Sequence, residues 1–155
     1  MITEDYASFE TAKLLKEKGF DSDVVGCHGG FYSERCYESG YGIKTQSGQE
    51  IGIVYDDLTN SDLDYDEYLR PTLQMAIKWL REVHNIHIAV NITYSENHED
   101  FHPDYYACIS NTETGESCIK EICALVEDET LTPKGFSTSE EACEAAIKYC
   151  LEHLI

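Results

Sequence analysis

The chain has 155 residues, with 30 Asp and Glu against 11 Lys and Arg and a formal net charge of −19 at pH 7. That imbalance excludes a cationic nucleic-acid-binding surface and electrostatic adhesion to anionic lipid. Five Phe, one Trp and 11 Tyr argue against a disordered acidic tail, and the length predicts one domain spanning 1–155. What remains is a binder of cations or of a basic partner, or a small acidic enzyme. The start, Met1 to Asp5, has neither the basic nor the apolar segment of a signal peptide. No apolar run approaches the roughly 18 residues of a membrane span. Seven cysteines, an odd number with no C-x-x-C spacing, predict reduced thiols and a cytoplasmic location.

In chain order, Ser8 to Lys18 reads as a helix. Ser8 is its N-cap, Phe9, Ala12 and Leu15 form its apolar face, and Gly19 is its stop, with Phe20 closing against Leu15. Asp21 to Gly30 is loop-like. Two short strands are predicted near Arg35–Lys44 and Glu50–Tyr55, turning at Ser47 and Gly48, and 56–69 reads as an acidic connector. Thr72 caps a second helix carrying Leu73, Ala76, Ile77, Leu80 and Val83 at helical spacing, with Asn85 as a left-handed stop. Residues 86–94 alternate apolar and polar as a half-buried strand does, and Tyr105–Ser110 reads as its antiparallel partner. For Ser117 to Val126 the apolar residues share one side of a helical wheel, which favours a helix over a strand. After a turn at 131–135, Thr138 and Glu141 open a last helix with a capping box. Its stripe runs through Ala142, Cys143, Ala146, Ile147, Cys150, Leu151 and Leu154.

The expected fold is therefore α+β, a small antiparallel sheet packed against about three amphipathic helices. An echo between Ala76–Glu82 (AIKWLRE) and Ala146–Glu152 (AIKYCLE) raises the alternative of two related halves.

Three blocks, SFETAKLLKEKGF (8–20), PTLQMAIKWLREVHNIHI (71–88) and EEACEAAIKYCLEHLI (140–155), resemble a family of small acidic proteins. That family occurs in gut anaerobic bacteria and their mobile or phage-like elements. It carries no assigned activity, so the resemblance implies no catalytic residue.

The most specific chemical motif is His98-Glu99-Asp100-Phe101-His102, an H-E-x-x-H string. On a helix it would place His98 and His102 on a metal, with Glu99 as general base of a metal-dependent hydrolase. Pro103 and polar flanks favour a solvated hairpin loop instead, in which His98 and His102 bind divalent metal only adventitiously. Asp62, Asp64 and Asp66 resemble the start of a calcium loop. Glu67 and Leu73, however, stand where that loop needs Gly and a bidentate Glu. Gly26-Cys27-His28-Gly29-Gly30 sets a thiol beside an imidazole, but no neighbouring base depresses the thiol pKa, and a flexible loop is the simpler reading.

Charge distribution points elsewhere. Tyr55, Asp56, Asp57, Asp62, Asp64, Tyr65, Asp66, Glu67 and Tyr68 concentrate acid and tyrosine, and none of Asp62, Asp64, Asp66 and Glu67 stands at a predicted core position. The expected function is that of a binding protein without a cofactor. Its acidic surface would engage a basic protein surface, such as that of a nucleic-acid-binding enzyme, while binding neither nucleic acid nor membrane itself.

Overall fold

Local capping chemistry fixes the helix ends where the sequence places them. In the computed structural model, which describes residues 5–21, 30–34, 43–44, 50–52, 59–94, 103–123 and 135–155, α1 spans Phe9–Glu17. Ser8 Oγ accepts from Thr11 N at 3.3 Å. At the other end Gly19 N donates to Lys16 O at 3.1 Å and Phe20 N to Leu15 O at 2.9 Å. This pair of bonds requires the left-handed backbone that Gly19 adopts (φ 86°). The α2 helix, Leu73–His84, begins at Thr72, whose Oγ1 accepts from Met75 N at 3.3 Å, and stops at left-handed Asn85 (φ 57°). The α3 helix, Ser139–His153, begins at Thr138, whose side chain accepts from Glu141 N at 3.2 Å. The Glu141 carboxylate reaches back one residue further than a simple capping box would, to Ser137 N at 3.1 Å.

The chain divides into two compact units, Met1–Trp79 and Leu80–Ile155. In the first, β1 (Phe31–Ser33), β2 (Ile43–Lys44), β3 (Glu50–Gly52) and β4 (Glu67–Leu69) form an antiparallel sheet in the order β2-β3-β1-β4. Tyr32 pairs with Ile51 on one side and Tyr68 on the other. Ala12 of α1 packs on Tyr32 and Tyr68, and the Phe9 ring meets both tyrosines edge-on at 5.7 and 5.5 Å. The buried Tyr32 hydroxyl donates to Ala7 O at 2.7 Å, which satisfies the polar end of a core aromatic.

In the second unit, β5 (Ile86–Tyr94), β6 (Pro103–Asn111) and β7 (Glu116–Ile122) form an antiparallel meander with α3 against it. Ile88 lies opposite Ile109 and Val90 opposite Ala107. Ile86, Ile88, Ala107 and Ile109 are buried on one face of the sheet, as are Ala142, Cys143, Ala146, Ile147, Cys150 and Leu151 on α3. Burial pushes the Cys150 thiol up to about 12, as expected of a packing cysteine.

The α+β class and the antiparallel pairing hold, with strands in two sheets rather than one. The sheets differ in strand number and order, so the echo between α2 and α3 does not extend to them. Three local expectations need correction. Residues 116–122 are an edge strand, not a helix, and β7 is exposed along most of its length. The chain turns back at 112–115, where Asn111 Oδ1 accepts from Glu113 N at 2.9 Å and Thr114 N at 3.1 Å. Pairing along β6 then satisfies the backbone that an isolated helix would have had to satisfy alone. The connector at 56–69 contains a 3₁₀ turn at Asn60–Asp62 and buried β4. Val83, assigned to the stripe of α2, is 58 % exposed. Of the two strands predicted in the first unit, β2 and β3 occupy the described parts. Residues 35–42 and 53–55 and the turn at 47–48 lie outside the described residues. Among the described residues no helix is long and apolar enough to cross a membrane.

Gly135 is a close approach of two backbones. Phe136 N donates to Tyr105 O at 2.7 Å and Tyr105 N to Phe136 O at 3.0 Å. A Cβ on residue 135 would sit 2.7 Å from Tyr105 O and 2.6 Å from Asp104 Cβ. Gly135→Ala is therefore expected to cost about 1–3 kcal/mol through forced backbone displacement. Urea denaturation would show it, and an unchanged midpoint would contradict the close approach.

Candidate functional site

The acidic segment divides into acids that build the fold and acids that face solvent. Asp66 and Glu67 are 6 % and 8 % exposed, and Tyr68 is buried beside them, so these residues do occupy core positions. The Glu67 carboxylate accepts from Asp64 N at 3.2 Å, and Glu67 N donates to Asp64 O at 3.1 Å, closing the 64–67 turn twice. Lys16, reaching across from α1, donates to Asp64 O at 2.6 Å and Glu67 O at 2.7 Å. Asp62 Oδ2 accepts from both Thr59 N and Thr59 Oγ1 at 2.9 Å. The Asp21 carboxylate takes Ser61 N at 2.8 Å and the Ser61 hydroxyl, and these bonds hold it below the usual carboxylate range. Beneath, the buried Asn60 side chain donates to Phe20 O at 2.7 Å and accepts from Leu69 N at 2.9 Å.

On top of this frame stand Asp62, Asp64 and Tyr65, all exposed, with Tyr65 at 84 %. Tyr68 instead faces inward. Its hydroxyl donates to Glu34 Oε1 at 2.8 Å, and Lys13 Nζ reaches the same oxygen at 3.3 Å. Burial first, and the Glu34 carboxylate second, push the Tyr68 phenol up to about 12. The Tyr68 and Lys13 bonds in turn hold Glu34 low. Tyr55, Asp56 and Asp57 lie outside the described residues, as do His98, Glu99, His102, Cys27 and His28.

A second cluster, which the sequence reading missed, lies in the other unit. Cys108 of β6 pairs directly with Glu121 of β7. Between Ile109 and Asn111 the β6–β7 register is irregular, and Cys118 there adopts φ 52°. The Cys118 amide donates to Ser110 Oγ at 2.9 Å. The result brings one ligand atom each from Cys108, Cys118 and Glu121 within 4.8 Å of one another. The Cys123 thiol donates to Glu121 Oε1 at 3.4 Å. Hydrogen bonding with Cys118, burial and the nearby Glu121 charge push the Cys108 thiol up to about 11. Nine residues lie between the two cysteines, a spacing that carries meaning only once 116–122 is read as a strand returning along β6. The N-T-E-T-G turn signal at 111–115 was the available cue.

No family model, curated protein or solved structure matches this chain.

Proposed function

We propose that the protein is a binding protein whose acidic knuckle, Asp62, Asp64 and Tyr65, docks on a basic protein surface of the kind that otherwise holds nucleic acid. One observation carries this reading: a nearly fully exposed tyrosine stands between carboxylates on a backbone pinned from beneath by Asn60, Lys16 and Glu67. A solvated loop gains nothing from such pinning. A binding surface does, because ordering lost on association is then small, and tyrosine adds contact area with few rotatable bonds. The overall charge of −19 supports long-range attraction to a basic partner. Resemblance of three blocks to proteins of mobile elements suits an inhibitor of a nucleic-acid enzyme.

The test is competition. Labelled duplex DNA is bound to each of a panel of purified DNA- and RNA-binding enzymes, and its release on adding the chain is followed by fluorescence anisotropy. Release is expected from at least one enzyme at 0.1 M salt and lost at 1 M, where the Debye length falls from about 10 to about 3 Å. Tyr65→Ala is expected to weaken it roughly tenfold, since a central aromatic anchor contributes more than about 1 kcal/mol. If polyglutamate of equal charge displaces the DNA as well as the chain does, or Tyr65→Ala changes nothing, the knuckle is not the docking site.

A further inference from the structure

The thiol–carboxylate cluster of the second unit is placed as a metal site would be. A helical or regular strand reading of 116–122 would not predict it; the irregular β6–β7 register does. Cys118 sits within that irregularity at positive φ, a conformation unusual for a residue other than Gly, Asn or Asp. Its thiol and that of Cys108 converge on the carboxylate that pairs across from Cys108. Two sulfurs and one oxygen are a soft-to-borderline donor set, which selects zinc-like ions over calcium or magnesium. A tetrahedral centre with metal–sulfur bonds of about 2.3 Å holds its sulfurs ~3.8 Å apart. The present separations, within 4.8 Å, need a contraction of the sulfurs of at most about 1 Å, within reach of side-chain rotation at exposed Cys118 and Glu121. Cys123, donating to Glu121 at 3.4 Å, supplies the outer hydrogen bond that commonly orients a ligating carboxylate. The unit around it carries 15 Asp and Glu against four Lys and Arg, a field that draws cations in.

We propose that Cys108, Cys118 and Glu121 bind a thiophilic divalent cation of the zinc class, with the fourth coordination position open to solvent. The metal would tie edge strand β7 to central strand β6. An open fourth position leaves room for a further ligand, as in sites with three protein donors.

Cobalt(II) titration of the reduced full-length chain tests this directly, because thiolate ligation gives a charge-transfer absorption that histidine or carboxylate ligation lacks. One equivalent is expected to bind with that absorption and to be displaced by zinc. Cys118→Ser is expected to weaken binding at least about 100-fold and Glu121→Gln at least about tenfold, since even outer-shell changes cost 10–100-fold. Both side chains are exposed on an edge strand, so both variants should fold. A Cys27→Ser/Cys36→Ser variant is expected to bind as the parent does. The proposal is overturned if cobalt binds without the thiolate absorption, as at His98 and His102. It is equally overturned if Cys118→Ser binds normally, or if the Cys27/Cys36 variant loses the signal.

Discussion

Asn60→Ala is expected to destabilise the first unit by about 2–5 kcal/mol. The Asn60 amide is buried, donating to Phe20 O at 2.7 Å and accepting from Leu69 N at 2.9 Å. Alanine would leave one carbonyl and one amide without partners away from water, at about 1–3 kcal/mol each. Those two groups belong to the stop of α1 and to β4, so a single side chain ties a local helix signal to a non-local strand. Asn60→Asp isolates the two halves of the effect: the acceptor to Leu69 survives, while a carboxylate replaces the donor facing Phe20 O. It is expected to be at least as destabilising as alanine, because two oxygens would then face one another. Trp79, the chain's one tryptophan, lies edge-on to Phe20 at 5.4 Å and reports the loss through its fluorescence in urea. A change below about 1 kcal/mol would mean that water replaces the amide at little cost.

Ile109→Ala is expected to cost the second unit about 2–5 kcal/mol. Ile109 is fully buried on the central strand, directly opposite Ile88 on β5 and paired with Lys120 on β7. Close-packed surroundings held by a three-stranded ladder and α3 relax little around a cavity, so both lost transfer energy and residual void contribute. Ile92 provides the contrast. It lies on the same strand and face as Ile88 but is 49 % exposed, so Ile92→Ala is expected to cost less than about 1 kcal/mol. Equal costs at Ile109 and Ile92 would contradict the difference in burial between the two positions.

Features that depend on a few adjacent residues were readable from the sequence. Ser8, Gly19, Thr72, Asn85 and Thr138 each perform the capping role their chemistry predicts, because the bonds concerned span only a few residues. The same holds for β5, whose bounds follow its alternation, and for the stripe of α3. What escaped depends on partners distant in sequence. Glu67 and Asp66 look like solvated acids until β4 is paired with β1 and Lys16 reaches the backbone on either side. The apolar residues of 117–122 fit a helical wheel, and only the return along β6 decides for a strand. Cys108 and Cys118 are two unrelated cysteines until that return brings them together.

The division of the 59–69 acids into a buried frame and a presented knuckle is tested most directly by comparing two variants of equal charge change. Asp62→Asn/Asp64→Asn removes two carboxylates from the knuckle, and Glu116→Gln/Glu152→Gln removes two exposed carboxylates from the second unit. Release of duplex DNA from the responsive enzyme at 0.1 M salt is then measured for both. The knuckle variant is expected to lose roughly tenfold or more in affinity, about 1.4 kcal/mol, while the second-unit pair loses no more than about twofold. Equal losses in the two variants would mean that bulk charge alone drives association, and would contradict a defined docking surface at Asp62, Asp64 and Tyr65.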